Sequence, residues 1–594
     1  MSMNITKSKF MEYIRCRRYP ALNHIHNRKD MDDALNDRFH DLLNSLEYDE
    51  NLDEDFLDVD LEHLRVMMPY YDKVEIESAK KVISHFGGTT RYSTDFGEQK
   101  LFIRDYKTFS LQCYVDIYNR GGNGINIIEA KATTTNKFLS LGYTENKIRY
   151  DLFYKDEFGV LHLNEKRDPE LLSNSKYLKQ RNKLFDRYTG VGVYVLDLAF
   201  QRFVIEEDIK DAKYYLGVLN HEYVFDGQYI DGEPIYNDDI TCLVDLTEVT
   251  KELLPKIQNE LDEVIDRIIK DDESRVHLGK HCELKKMRQC AYKDVCYDRF
   301  PEKNSILEFL DKHHGFKDPE GVKHEYFDLI EEGYYKMVDI PHEWLSRRNN
   351  QIQRDAAITK KAYYNKQKLR DGIAEIKYPI YHLDFESFPC PFPRFKGERS
   401  YMQSLFQFSI HIEREPGVCD KESDHYEFLS KDHNDNREEL VRKMCEIIKP
   451  DGGSVLVYNE AFEKTRIKEL AQFYPEYTDQ LSDISSRLFD LLHIVKTNSK
   501  LYKNLGYSEE DSKTVNYYSE DLHGSFSIKK VLPIFSDLTY QNMEVGNGME
   551  AVYTYAGYNE FDTETLHQKQ NALIEYCKQD TWAMVEILRE LRKI

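Results

Sequence analysis

The stretch YHLDFESFPCPF, Tyr381 to Phe392, sets two carboxylates one residue apart inside an apolar strand pattern. In a strand, residues i and i+2 point to one face. Asp384 and Glu386 therefore share a face, while Leu383 and Phe385 line the other. Two like charges at the edge of a core repel unless a cation lies between them. The pattern suits a sheet with a cation-binding face, or a strand whose acids are each capped or paired.

Later segments supply partners for that pair. GSVLVYNEAFEKTRIKELA reads as a strand running into a helix, with Asn459 and Glu463 at the junction. SSRLFDLLHIVK places Asp490 in an otherwise apolar segment. ALIEYCKQDTWAMVEIL reads as a helix with Tyr576 and Asp580 at i and i+4, on one face. Leu573, Cys577, Ala583, Met584 and Ile587 form its buried side. One pair of divalent ions accounts for these acids together, with Asp384, Glu386 and Asp580 as oxygen ligands. Tyr576 would orient or deprotonate the attacking water.

The chain has 594 residues, and its net charge is 82 − 106 = −24. Hydrophobic content of 41% and charged content of 32% fit a soluble protein of roughly three to five domains, or fewer large ones. The acidic balance excludes a generally basic nucleic-acid coat protein, but not an enzyme whose acids hold metal ions. No apolar run approaches about 18 residues, so no membrane-spanning helix is expected. The basic start lacks the apolar core of a signal peptide, and a cytoplasmic location is expected.

Three regions follow. Residues 1–315 mix helix and strand and include TEVTKELLPKIQNELDEVIDRIIKD, whose Leu253, Ile257, Leu261, Ile265 and Ile269 keep helical period. Residues 316–375 read as a polar helical linker with a basic end, either solvated or phosphate-contacting. Residues 376–594 alternate strands and helices, the pattern of an α/β sheet.

A second constellation lies in FSLQCYVDIYNRGGNGINIIEAKATTT. It reads as a hairpin turned at NRGGNG. Asp116 stands near the end of the first strand; Glu129 and Lys131 share a face of the second. Two carboxylates and a lysine suit divalent-metal hydrolysis: the acids hold Mg²⁺ or Mn²⁺, and the lysine positions water. A third constellation is KHCELKKMRQCAYKDVC, with Cys282, Cys290 and Cys296, joined by the distant Cys16. Ten cysteines are too sparse for a disulfide framework. Four soft thiolates select Zn²⁺ or an iron–sulfur cluster, in a structural role.

Asp116 with Glu129-Ala130-Lys131 resembles the PD-(D/E)xK nuclease superfamily, and within it the RecB-like nucleases. That resemblance marks VYVLDLAFQRFVIEE as the segment carrying their glutamine, Gln201; Ile205 stands where a tyrosine often follows. The cysteine arrangement resembles the iron–sulfur staple of AddB-type nucleases and implies a [4Fe-4S] cluster on Cys16, Cys282, Cys290 and Cys296, with Zn²⁺ as the fallback. LDFES and YCKQD resemble the first and third motifs of the DEDD exonuclease superfamily on an RNase H-like fold. Its second motif normally ends in aspartate. Here NEAFE ends in Glu463, so either Glu463 or Asp490 completes the shell.

The whole chain resembles a bacterial family that fuses a RecB-like nuclease to a DEDD-like domain of unknown function. The resemblance implies a multi-domain α/β protein: a PD-(D/E)xK, restriction-endonuclease-like core with an iron–sulfur staple, a helical linker, and an RNase H-like exonuclease domain. The expected activity is metal-dependent hydrolysis of phosphodiester bonds at two sites, on DNA before RNA. The alternative is a nucleic-acid binding or scaffold protein with one or both heads inactive. No Gly-x-x-x-x-Gly-Lys-[Ser/Thr] motif occurs, so unwinding falls to a helicase partner or the substrate is single-stranded. Repair or defence against foreign DNA are the expected contexts.

Overall fold

The computed structural model describes residues 3–26, 61–94, 98–122, 124–279, 281–282, 290–310 and 315–594. It is a multi-domain mixture of helices and several sheets. Two compact units emerge. The first holds the described residues up to Lys293, together with Pro389–Met402; the second holds Asp294–Phe388 and Gln403–Ile594. Among the described residues no helix is long and apolar enough to cross a membrane.

The first unit opens with β1 (Met3–Thr6), α1 (Lys7–Tyr13) and α2 (Tyr19–His26), then α3 (Leu61–Phe86) and β2 (Thr89–Tyr92). Next come β3 (Lys100–Tyr106), β4 (Phe109–Val115), β5 (Ile117–Gly121) and β6 (Gly124–Thr134). It continues with β7 (Phe153–Lys155), β8 (Leu161–Leu163), α4 (Gly192–Ile205), β9 (Lys213–Leu219), β10 (Thr241–Asp245) and α5 (Thr247–Ile269). Seven strands form one sheet, in the order β2-β5-β6-β9-β10-β8-β7. β5 and β6 are antiparallel, while β9 runs parallel to β6. β1, β4 and β3 form a second, smaller sheet.

The expected hairpin is present but shorter than its sequence pattern. β5 and β6 pair from Ile117↔Ile128 to Gly121↔Gly124. FSLQCYV departs into the small sheet, so Asp116 is the residue at which the chain passes from one sheet to the other. Alternation persists through that bend, which is why the pattern reads as one strand. In α5, Leu253, Ile257, Leu261 and Ile265 are buried as the period predicts, but the last turn buries Ile268 and leaves Ile269 exposed. Gly217 on β9 permits the close approach of α3: a Cβ there would meet Ser78 Oγ at 2.7 Å. That approach brings the α3 turn bearing Glu75 down onto the sheet.

The second unit contains α6 (Arg348–Thr359), α7 (Lys366–Ala374), β11 (Ile380–Pro389), β12 (Gln403–Glu413), β13 (His425–Leu429) and α8 (Arg437–Ile447). It continues with β14 (Val455–Val457), α9 (Glu460–Phe473), β15 (Leu488–Asp490), α10 (Ile528–Phe535) and α11 (Thr563–Leu591). Five strands are ordered β13-β12-β11-β14-β15. β11, β14 and β15 are mutually parallel, and β12 and β13 antiparallel. The apolar core collects Leu383 and Phe385 of β11 with Val455, Val457, Leu440 and Ile467.

The polar linker expected over residues 316–375 is instead part of this unit. On α6, Gln353 is buried; its amide nitrogen donates to Glu308 O and its amide oxygen accepts from Leu310 N. On α7, the Lys368 ammonium is buried and donates to Asp511 O at 2.6 Å and Thr514 O at 2.7 Å. Buried polar groups satisfied by backbone carry no hydrophobic period, so the segment looks solvated when only its composition is read.

Glu413, at the end of β12, is fully buried between His382 at 3.4 Å and Arg592. Burial alone would raise its pKa, but hydrogen bonds from His382 and Arg592 outweigh it and bring the carboxyl from 4.5 down to about 2. The folded value is the depressed one. The stabilisation, about 3 kcal/mol, is thus complete above pH 4.5 and lost as pH falls toward 2. Glu413→Gln is expected to lower stability at neutral pH and to flatten the acid limb in that window. Denaturant unfolding of both proteins at neutral and acid pH measures this.

Candidate active sites

In the first unit, chain geometry gathers groups from five elements. Thr6 caps α1 by accepting from Lys9 N, which places Lys7 in its first turn. Phe10 of α1 stacks on Phe200 of α4, ring centroids 4.6 Å apart. This contact aligns the two helices, so Lys7 meets the polar face of α4, where Asp197 and Gln201 stand at i and i+4. Glu129 and Lys131 come from β6, Asp116 from the bend before β5, and Glu75 from α3.

The resulting network is tight. Lys7 Nζ lies 2.5 Å and Lys131 Nζ 2.9 Å from Glu129 Oε1. Lys131 Nζ is also 3.0 Å from Asp197 Oδ2. Gln201 Nε2 donates to Glu129 Oε2 at 2.6 Å. Asp116 Oδ2 accepts from Ala130 N at 2.8 Å, which clamps the bend to β6. Burial raises the Glu129 pKa, but Lys131 and Lys7 overcome it and hold the carboxyl at about 2. Asp116 moves the other way: burial first, then Glu129 and Glu75, push it well above the ordinary carboxylate range. Glu129 and Asp197 face the two ammonium groups, while Asp116 lies beside Glu129 and Glu75. With all four carboxylates ionised the sum is −2, which one divalent cation would offset.

The four sequence-predicted residues Asp116, Glu129, Lys131 and Gln201 are thus brought together. Lys7, Asp197 and Glu75 were missed. Asp197 had a usable signal, an acid four residues before Gln201 on an otherwise apolar helix.

Segments bearing three of the four cysteines also meet in this unit. Arg15 Nε donates to His281 O at 2.9 Å, and Tyr292 OH donates to Asn23 Oδ1 at 2.8 Å. Tyr19 and Tyr292 pack edge to face. Cys16, Cys282 and Cys290 lie on or beside these segments. Cys296 ends the short helix Lys293–Cys296. Residues 283–289 of the motif lie outside the described residues.

In the second unit, β11 occupies the middle of the sheet, and Asp384 and Glu386 project from it as expected. Ligand sites in open α/β sheets form at the carboxyl ends of parallel strands. Two residues beyond the end of β14, Asn459, with a φ of +79°, turns the chain into α9, which carries Glu463. α11 is held against β12 by side chains on one face of that strand. Gln407 Nε2 donates to Leu573 O, and Ser409 Oγ and His411 Nδ1 each bond Thr581 Oγ1. That anchoring turns Tyr576, Cys577 and Asp580 toward β11.

Glu386 is buried, and its pKa is pushed well up by burial, Asp384, Asp580 and Glu463, against Lys529. Glu463 is raised likewise by burial, then by Asp384. Its Oε2 is buried with no hydrogen-bond partner. Burial, then Asp580 and Glu386, push the Tyr576 phenol further above its ordinary range.

The two candidates for completing the shell separate clearly. Asp490 accepts backbone hydrogen bonds from Asn459 N, Glu460 N and Leu492 N. It holds the β14–α9 turn. Glu463 is the one that faces Asp384 and Glu386.

Two further residues were missed. Tyr540 OH donates to Asp580 Oδ1 at 2.6 Å. Lys529, on α10, approaches the rings of Tyr540 and Tyr576. Both line an 840 Å³ cleft with His523, Lys530, Asn542 and Asn547. The acid cluster therefore has an adjoining opening whose wall carries Lys529 and Lys530 together with Asp521 and Glu550.

Comparison with known proteins places only part of the chain. The family described as a domain of unknown function (DUF2779) matches residues 381–527. That span includes Asp384, Glu386, Glu463 and Asp490 and ends before Tyr576 and Asp580. Uncharacterized protein UU173 of Ureaplasma parvum serovar 3 is 26% identical over 242 residues, 38% of this chain and 33% of that protein. Uncharacterized protein MG366 homolog of Mycoplasma pneumoniae is 31% identical over 160 residues, 25% of this chain and 21% of that protein. The matches thus cover a third or less of these curated relatives. No solved structure matches.

Proposed function

We propose that this chain is a divalent-metal-dependent nuclease with two hydrolytic sites, a PD-(D/E)xK-like site in the first unit and a DEDD-like site in the second. The observation that carries the reading is the convergence of Asp384, Glu386, Glu463 and Asp580. They come from three elements spread over nearly 200 residues, and acids packed this closely either hold protons or share a cation, which supports a metal site here. With Lys529 their charge is −3. Two divalent ions and one phosphodiester bring it to zero.

Asp384, Glu386, Glu463 and Asp580 would hold Mg²⁺ or Mn²⁺ in the second unit, and Asp116 and Glu129 in the first. The bound ion supplies Lewis acidity and a water of lowered pKa. The chain's own groups do the rest. Tyr576 and Tyr540 orient acceptors at the acid cluster, and Lys529 and Lys530 draw phosphate into the cleft. In the first unit Lys131 positions water, while Lys7 and Gln201 hold Glu129. Cys16, Cys282 and Cys290, with Cys296 added by sequence spacing, are assigned to an iron–sulfur cluster, with zinc as the alternative. Their soft thiols suit either group, and anaerobically purified protein is expected to be brown.

The test is cleavage of end-labelled single- and double-stranded DNA and RNA with Mg²⁺, Mn²⁺ or chelator. Metal-dependent degradation by wild type, abolished in Asp116→Ala/Asp384→Ala, is expected. Equal degradation by the double variant overturns the reading. Salt-sensitive binding without turnover supports a binding protein instead.

A further inference from the structure

We propose that Asp384, Glu386 and Cys577 form a mixed oxygen–sulfur subsite that takes a thiophilic divalent cation of the zinc and cadmium class. The proposal rests on the reading of this cluster as a metal centre and adds sulfur to its ligands, and with it a metal preference. A ligand atom from each of the three residues lies within 4.8 Å of the others. The Cys577 thiol donates to Asp384 Oδ2, with Sγ 3.6 Å away. A tetrahedral zinc with bonds of about 2.3 Å to sulfur and about 2.1 Å to oxygen holds those two atoms about 3.6 Å apart. The thiol and carboxylate are therefore already at the separation such an ion requires.

A second observation points to a ligand in the same place. Glu463 is 2% exposed, and its Oε2 has no hydrogen-bond partner. It belongs to the cluster through Asp384, its foremost charged neighbour. A buried carboxylate oxygen left unpaired beside other acids is costly unless it takes up a proton or an ion occupies the gap. Glu463 flanks the three ligands on the Asp384 side.

The helix explains why the sulfur is there. Cys577 and Asp580 stand at i and i+3 of α11, so both reach β11 from the same side. The alternating core pattern assigns Cys577 to the apolar side of that helix, and it is fully buried, yet its sulfur points to Asp384. Oxygen-only sites favour hard ions such as Mg²⁺, whereas a thiolate favours zinc-class ions. Coordination replaces the thiol proton, which passes to solvent. The subsite would let a zinc-class ion compete with the two hard ions at the same acids.

Cadmium-113 NMR of the full chain tests this, with ¹¹³Cd²⁺ alone as the probe. The variants are Cys577→Ser and Asp384→Asn. Wild type is expected to show a resonance displaced toward the thiolate range and distinct from that of the Cys16, Cys282, Cys290 and Cys296 set. That resonance should disappear or move to the all-oxygen range in Cys577→Ser, and disappear in Asp384→Asn. Superimposable spectra of wild type and Cys577→Ser overturn the proposal. Should the serine variant not fold, persistence of the resonance in Asp384→Asn overturns it equally. The nuclease reading is judged apart, by wild-type cleavage with Mg²⁺ or Mn²⁺. A sulfur-shifted resonance from a protein that cleaves nothing would sustain the subsite and sink the nuclease.

Discussion

Asp384→Asn is expected to slow stepwise release of nucleotides from a strand end by at least about 10³-fold, the loss of roughly 4 kcal/mol of transition-state stabilisation. Asp384 is the acid that Glu386, Glu463 and Cys577 all face. Asparagine keeps its volume and removes its charge. A structural acid and a metal ligand then give opposite stability signatures. Removing one of four mutually repelling carboxylates relieves strain, so without metal the variant should melt no lower than its parent. With Mn²⁺ it should gain less stability than its parent, since binding to the folded state is what raises the midpoint. The rate is read from end-labelled single strands in a Lys131→Met background, which silences the first unit. Nucleotide release within tenfold of that parent would falsify the assignment.

What the sequence made legible divides along physical lines. Asp384 with Glu386, and Tyr576 with Asp580, are readable because strand and helix periods alone put each pair on one face. Glu129 and Lys131 are readable for the same reason. The partners that complete each site are not, because tertiary packing supplies them. Lys7 sits in a short basic stretch whose ordinary fate is solvent, and it enters the first site because Phe10 stacks on Phe200. Tyr540 lies in irregular backbone between helices, where no period exists to read. Lys529 follows the apolar stripe of α10 and looks like a solvated flank of it. Cys577 is the instructive miss: its period assigns it to a core, and burial agrees, but the neighbour that burial provides is a carboxylate. Chain organisation follows the same rule. Pro389–Met402 belongs to the first unit, where Tyr401 OH donates to Ala132 O and Phe225 N donates to Glu398 O. Such an excursion leaves no compositional mark, so a boundary drawn from composition passes over it.

The first site yields the second large effect. Lys131 and Lys7 both contact Glu129 Oε1, and a kinetic comparison separates their roles. In an Asp384→Asn background, Lys131→Met is expected to lower metal-dependent cleavage by about 10²–10⁴-fold, the range for loss of a positioned proton-handling group. Lys7→Met is expected to cost about tenfold in rate, because Glu129 keeps Lys131 and Gln201 as partners. Stability should not discriminate in the same way. Each substitution leaves buried Glu129 and Asp197 with one ammonium fewer, and breaking a buried pair costs on the order of 3 kcal/mol. Similar melting losses with unequal rate losses therefore identify Lys131 as the residue that acts on the reacting atoms and Lys7 as the one that positions Glu129. Equal rate losses in the two variants would mean that Glu129 merely needs two counter-charges, and the distinct role given to Lys131 would be lost.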